Sequence, residues 1–316
     1  MYDLVIIGAS AAGSAAAVYA ARRRLNFIII SKDIGGEVVK NGEVENWLGI
    51  IHTTGIELAQ QFKAHLDANE VVIENGWEVT GISQENTIHT IHTKKGGEEK
   101  HIQTKSIIIA TGIHPRHLGV PGEAELQKRG VTSCTVCDGP LYRNKITTTI
   151  GAGNTALESA LMLADIAEKA YLITKYPNTP ETNHGFPKGE NVLIEKIIKK
   201  DNVEIIYNAD TTKILGDKKV EGVEYKDLAT GELHTHKTDG AMVHIGMVPN
   251  SGFTDCVKKN ENKEIEIDLR AQTSCKGIFA AGDVTNIPFK QLMIASGQGV
   301  IAALSAIDYL NYAKEE

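Results

Sequence analysis

"DLVIIGASAAG", residues 3–13, is a short apolar run that breaks into small residues, and its reading decides the fold. Four apolar residues entering a glycine turn read as a strand, and "SAAAVYAARRRL" behind it carries a helix pattern. "NFIIIS" follows as a second strand, which completes a βαβ unit of about thirty residues, the length such a crossover needs. The helix is rich in alanine, so it can lie close against a sheet. Arg22, Arg23 and Arg24 at its C-terminal end suit the helix dipole and read as a solvated end.

A second unit of the same design starts at "NKITTTIGAGNTALESALMLADIAEKAYLITK", residues 144–175. An apolar strand again runs into a glycine turn, a helix and a further strand, at Ala170–Thr174. Two dinucleotide-type units form a weak internal repeat and suggest two nucleotide sites. Strand-like runs follow in "NVEIIYN" and "KKVEGVEYKD", with the hairpin-like "LATGELH" behind them. The last stretch, "GIFAAGDV" and then "QLMIASGQGVIAALSAIDYL", reads as a strand, a turn and a long amphipathic helix without a third nucleotide motif. That tail needs a sheet to pack on, and the first domain is its expected host.

At 316 residues the chain exceeds the usual size of a single core, so two domains are expected. Hydrophobic content of 42% with 23% charged residues is that of an ordinary globular protein, and a formal charge of −7 argues against a nucleic-acid partner. The chain enters its first strand without a basic region before an apolar one, so no signal peptide is expected, and no apolar run reads as long enough to span a bilayer. Four cysteines are too few for a disulfide scaffold and point to a reducing, cytoplasmic compartment.

Gly8, Ala9, Ser10, Ala11, Ala12 and Gly13 form the turn of the first unit. Gly8 permits the tight turn, Gly13 lets the helix approach the strand, and Ser10 stands at the middle position where glycine lets the backbone approach phosphates. No acidic residue ends the second strand. Ser31 stands where a ribose-binding carboxylate is expected, which disfavours a plain NAD site and favours another dinucleotide. Gly151, Gly153, Asn154, Thr155 and Ala156 of "GAGNTA" form the cleaner fingerprint, but only one cation, Lys175, follows the next strand. "CTVCDG", residues 134–139, has three readings: zinc, a structural bridge or a redox dithiol. Zinc needs four ligands, Cys256 and Cys275 read as isolated, and no metal site is expected. A redox dithiol fits best, with Asp138 as an adjacent proton carrier. The turn Gly282-Asp283 places a carboxylate that can hold a sugar or ribityl hydroxyl. The prolines and glycines of residues 178–190 read as a loop of unassigned purpose.

Together these pieces resemble the low-molecular-weight thioredoxin reductases, a branch of the flavoprotein disulfide reductases. The resemblance is collinear over nearly the whole chain and rests on "GASAAG", "GGEVVKNGEVENWLG", "IIATGIHPRHLGVPGE", "CTVCDGPLYRN", "GAGNTALESA", "HIGMVPN", "GIFAAGDV" and "KQLMIASGQGVIAALSAIDYL". It implies an α/β fold of two Rossmann-like nucleotide-binding domains, the second inserted into the first. Residues 1–115 and 245–316 would form the FAD domain and residues 116–244 the pyridine-nucleotide-type domain carrying the dithiol. In this family the inserted domain rotates, presenting either the disulfide or the nicotinamide to the flavin.

The resemblance also implies roles. Gly8 to Gly13 would hold the FAD pyrophosphate; Gly35, Gly36, Glu37, Asn46 and Trp47 would line the flavin. Ala110, Thr111 and Gly112 would lie beside the cofactor, Gly282 and Asp283 would bind the ribityl chain, and Lys290, Gln291 and Ala295 would sit near the isoalloxazine ring. Cys137 would face the flavin, Cys134 would attack the partner's disulfide, and Asp138 would act as acid and base, with exchange running through a mixed disulfide. Thioredoxin or a similar small disulfide protein would be the acceptor, and the protein would be a homodimer.

Three departures stand out. Ser10 replaces a glycine, and Glu37 replaces a usual glutamine. Thr174, Lys175, Tyr176 and Pro180 stand where NADPH-using members carry arginines. Losing two or three charge-assisted hydrogen bonds, each worth about 1.5–3 kcal/mol, makes NADPH a poor donor. NADH is then the simplest donor, and reduced ferredoxin the second choice. A flavin-binding regulatory protein without turnover is the competing class, against which the intact Cys134, Cys137 and Asp138 set argues.

Overall fold

The computed structural model describes residues 1–40 and 43–312; Asn41 and Gly42, inside the "GGEVVKNGEVENWLG" stretch, lie outside the described residues. The chain divides into two compact units, Met1–His114 with Val248–Glu316, and Pro115–Met247. It passes between them along Ile113–Pro115 and Met247–Pro249, which pair as a two-stranded ribbon.

In the first unit, five parallel strands run in the order Ile73–Asn75, Phe27–Ile34, Tyr2–Ala9, Glu98–Ile109, Ile278–Ala280. The long strand Glu98–Ile109 serves two purposes. Its first half pairs antiparallel with Ile88–Lys95, and its second half is flanked by Tyr2–Ala9 and Ile278–Ala280. The apolar runs of these strands are buried on both faces: Leu4, Ile6, Ile29 and Ile108 on one, and Val5, Ile7, Ile28, Ile30, Ile107 and Ile109 on the other. Continuous rather than alternating apolarity is what a parallel sheet covered on both sides requires.

Helix Ala11–Arg22 and the C-terminal helix Leu292–Tyr312 share one of those faces through Ala12, Ala16, Ala302, Ala303 and Ala306. A Cβ at Gly299 would run into the backbone of Ala12, so the two helices meet at near-backbone contact. The C-terminal helix has 21 residues and is long and apolar enough, by length and composition, to cross a membrane, which corrects the expectation that no run reaches that length. Its small apolar residues have a local cause, since Ala302, Ala303, Ala306 and Leu310 are buried in this core.

The second unit repeats the plan. Its five parallel strands run Val203–Ile206, Lys169–Ile173, Ile146–Ile150, Gly240–Val243, Val131–Thr132. An antiparallel meander of Ala209–Leu215, Gly222–Asp227 and Leu233–Lys237 precedes the return strand. In both units the strand entering the glycine turn is central, flanked by the strand behind its helix and by the strand that returns after a meander. The internal repeat is therefore a repeat of topology.

Candidate active site: two glycine turns and a dithiol

The first turn is built by backbone proximity. Gly8 has φ +112°, and a Cβ there would meet the Ala110 carbonyl. A Cβ at Gly13 would meet the carbonyl of Gly8 itself. Ser10, at the middle position, has φ −109°, so that position needs no left-handed freedom. Its Oγ donates to the Gly35 carbonyl at 2.7 Å, tying this turn to the Gly35-Gly36 turn. The first turn of helix Ala11–Arg22 contains no acidic residue, and the buried Ser14 Oγ in it has no hydrogen-bond partner. A 12-residue helix whose N-terminus is free of negative charge and closely approached by backbone suits a pyrophosphate.

Strand Phe27–Ile34 extends beyond Ser31 and includes Asp33, which corrects the reading that the second strand carries no carboxylate near its end. The Asp33 carboxylate is already engaged, accepting from the Gly36 N–H at 3.0 Å. Asp283 is the other carboxylate here. It follows Gly282, whose φ is +77° and whose Cβ would press on Ala12, with Ala295 next to it. Burial raises the pKa of Asp283 and the Lys290 charge opposes the rise. Among the described residues nothing donates a hydrogen bond to this carboxylate, so a ligand hydroxyl would satisfy it. The structure thus brings Gly8, Ala12, Gly13, Gly282, Asp283 and Ala295 together.

The remaining residues assigned to the flavin are held by separate contacts, of which one joins two of them directly. Asn46 Nδ2 donates to Gln291 Oε1 at 3.3 Å across 245 positions of sequence. Trp47 packs on Phe62 with ring centroids 5.2 Å apart. Glu37 pairs with Lys40 at 2.7 Å on the surface. Lys290 is held by Glu264 at 2.8 Å and donates to the Thr285 carbonyl at 2.5 Å. Thr111 Oγ1 donates to the Asn250 carbonyl at 2.7 Å, and Asn250 Nδ2 returns a bond to the Thr111 carbonyl at 2.8 Å. Asn250 N–H also donates to Gly112. Asn250 ends the "HIGMVPN" stretch, but its role as a clasp is not legible there, because its partner Thr111 lies 139 positions away.

The second turn has the same logic. Gly151 leaves no room for a Cβ beside the His244 carbonyl, Gly153 caps helix Asn154–Ala164 in extended conformation, Thr155 is exposed and Ala156 is fully buried. Residues 178–190 fold back over it. Lys188 forms a parallel bridge with Gly153, Asn154 Nδ2 donates to Glu190 Oε1 at 2.7 Å, and Glu190 N–H donates to Asn154 Oδ1 at 2.8 Å. The stretch without an assigned purpose is therefore the wall of the turn, and it adds a cation, Lys188, that local reading misses. Thr174 points inward and donates to the Gly185 carbonyl at 2.6 Å, while the exposed Lys175 lies over the Tyr176 ring.

Cys134 and Cys137 are joined as a disulfide at the start of the short helix Thr135–Asp138. Cys134 Sγ accepts the Cys137 N–H at 3.2 Å, a bond that favours a thiolate at that sulfur once the pair is reduced. Cys134 is half-buried and Cys137 exposed, which runs against the picture of Cys134 as the outward sulfur. Between the cysteines, Thr135 is buried and shares hydrogen bonds with Ser159 Oγ at 2.6 Å and His244 Nε2 at 2.9 Å. His244 thus joins the dithiol helix, through its ring, to Gly151, against which its carbonyl lies. His244 opens the "HIGMVPN" stretch, but sequence reading gives it no role because a single histidine carries no spacing signal.

Burial lowers the pKa of His244 from 6.5 to about 4, and that of His236 likewise to about 4. Their unfolded forms take up protons as pH falls through 6.5, whereas the folded forms stay neutral until about 4. Stability is therefore fully present above 6.5 and lost as pH falls towards 4, at about 1.4 kcal/mol per pH unit for each well-buried histidine. His244 contributes about 3 kcal/mol over that window, and the less buried His236 contributes less after solvent screening. Urea unfolding followed by circular dichroism at several pH values checks this. His244→Gln should flatten the slope, and an unchanged slope would overturn the assignment.

The chain is similar to known proteins over most of its length. The model of the pyridine nucleotide-disulphide oxidoreductase family matches residues 2–299. Alkyl hydroperoxide reductase of Escherichia coli (strain K12), in its F subunit, is 38% identical over 314 residues, covering 98% of this chain and 58% of that protein. The chain thus spans less than two thirds of that relative. Among solved structures, Lactococcus lactis thioredoxin reductase in its FR conformation matches with a TM-score of 0.84 at 32% identity, covering 99% of this chain and 100% of that one. T. acidophilum thioredoxin reductase matches as extensively, with a TM-score of 0.80 at 38% identity and 99% of each chain covered. With two glycine turns on one repeated topology, a cysteine pair three positions apart and a family match over most of its length, the chain belongs to the pyridine nucleotide-disulphide oxidoreductases.

Proposed function

We propose that the chain is an FAD-dependent disulfide reductase that passes electrons through Cys134 and Cys137 to thioredoxin or a similar small redox protein. The observation that carries this reading is the Cys134–Cys137 disulfide at the start of a helix in the unit that holds the second glycine turn. FAD, when bound, supplies the two-electron chemistry. The turn of Gly8 to Gly13 would hold its pyrophosphate, and Asp283 would accept a hydrogen bond from a ribityl hydroxyl. Cys134, whose sulfur takes the Cys137 N–H, attacks the partner's disulfide; Cys137 then attacks Cys134 and releases the reduced partner. Asp138 handles the proton. We place the protein in a reducing, cytoplasmic compartment as a homodimer.

NADH is the proposed pyridine nucleotide. The end of strand Lys169–Ile173 supports this, because Thr174 faces inward and no arginine stands beside it. Lys175, the cation that follows this strand, would offer a 2′-phosphate a point charge rather than a bidentate fork. Reduced ferredoxin is the second reading of the donor, favoured by the same shortage of cations. Stopped-flow reduction of the bound flavin separates the donors. At equal micromolar concentration NADPH should be slower than NADH by about 100-fold or more, since each lost contact is worth about 1.5–3 kcal/mol. Rapid reduction by NADPH would sink the donor reading, and reduction by ferredoxin alone would establish the second one.

A further inference from the structure

Cys256 and Cys275 read along the chain as unrelated single cysteines, and the fold of the first unit overturns that. The segment carrying Cys256 is stitched to the turn carrying Cys275, since the Lys258 N–H donates to Ser274 Oγ at 2.8 Å. Val257 and Cys275 pack into the same apolar cluster with Ile278. These contacts set Cys256 and Cys275 side by side, and each thiol lies within electrostatic reach of the other. Cys256 is exposed, with Thr254 Oγ1 3.1 Å from its sulfur, and the half-buried Cys275 Sγ donates to Gln84 Oε1 at 3.3 Å. Nothing in the proposed reaction uses either residue.

We propose that Cys256 and Cys275 are a second redox pair, which closes to an intramolecular disulfide when the protein meets a low-molecular-weight disulfide oxidant. The exposed Cys256 thiolate attacks one sulfur of the oxidant, whose S–S bond breaks and whose other half leaves as a thiolate. Cys275 then gives its proton to water and attacks the Cys256 sulfur, expelling the second thiolate. Two protein thiols are oxidised and one small disulfide is reduced to two thiols, so the electrons balance. The order follows from the setting. Burial and the Cys256 thiol push Cys275 up to about 11, so it waits protonated while Cys256 meets the oxidant. The new bond would join the segment before Val257 to the turn entering strand Ile278–Ala280, which leads directly to Gly282 and Asp283. Constraining that stretch of the unfolded chain raises the unfolding temperature.

The test uses the flavin-loaded full chain with Cys134→Ser and Cys137→Ser, which leaves only these two thiols. After incubation with oxidised glutathione, both thiols should vanish under denaturing conditions without retained glutathione, and a peptide map should link Cys256 to Cys275. Adding Cys275→Ser should trap one glutathione on Cys256. The same map on the oxidised wild-type protein supplies the link should the serine variant fold poorly. Cys256→Ser in the wild-type background should leave disulfide-reductase turnover unchanged while abolishing the link and the rise in unfolding temperature. Two separate glutathione adducts would overturn the proposal. So would two free thiols at an oxidant concentration that fully oxidises Cys134 and Cys137.

Discussion

Replacing Cys134 by serine is expected to lower disulfide-reductase turnover by about 1000-fold or more while leaving the flavin bound and reducible. A serine hydroxyl is not ionised at neutral pH and forms no disulfide, so the mixed disulfide with the partner cannot form, and loss of a covalent nucleophile has costs of that order or larger. The companion variant is as informative. Cys137→Ser should leave Cys134 able to attack but with no neighbour to resolve the product, so an oxidised small disulfide protein should be trapped covalently on Cys134. Intact mass under non-reducing conditions reads both results. Two features of this pair pull in opposite directions: the Cys137 N–H at 3.2 Å favours a thiolate on Cys134, whereas Cys137 is the more exposed sulfur. Thiolate character governs attack, which is why trapping is expected in Cys137→Ser and not in Cys134→Ser. The reverse pattern would show that access decides instead. Undiminished turnover in both variants would remove the dithiol from the mechanism and leave the flavin-binding regulatory reading.

The second large effect is expected from one methyl group. Gly8→Ala should yield protein carrying less than about a tenth of the wild-type flavin, measured by absorbance after purification, with a lowered unfolding temperature. Gly8 has φ +112°, which an L-residue occupies only under strain of about 1–3 kcal/mol. Its Cβ would also occupy the space of the Ala110 carbonyl, so strand Glu98–Ile109 must give way at the end that leads to Thr111 and Gly112. Ser10→Gly is the contrasting control. Ser10 sits at φ −109° and contributes one side-chain bond to Gly35, so its loss costs about 1 kcal/mol and should leave the flavin in place. An alanine variant that binds FAD stoichiometrically would show that the first turn is not the pyrophosphate site.

The two glycine turns, the helices behind them and the dithiol are legible in the chain because each depends on neighbours a few positions apart. A strand running into glycine and then alanine, or two cysteines three positions apart, narrows the local geometry to a few alternatives. Local pattern misleads where it parts from strand or helix length. The apolar run of the second strand stops before Ser31, although pairing with Tyr2–Ala9 carries the strand to Ile34 and so includes Asp33. No apolar run along the chain reads as long enough to span a bilayer, yet the small residues that suit the C-terminal helix to Ala11–Arg22 also give it the length and composition to do so.

From its own residues and their order, then, the chain determines a twice-used βαβ plan, a redox-type cysteine pair and the shortage of arginines near Lys175. Short-range sterics dictate the turns, and charge content can be counted without coordinates. Only the tertiary structure decides which distant groups meet. Asn250 reaches Thr111, His244 reaches Thr135 and Gly151, residues 178–190 return to wall the second turn, and Cys256 meets Cys275. Each of these contacts closes a loop whose entropic cost is met by the packing of the whole unit rather than by the residues that touch, so no local pattern announces them.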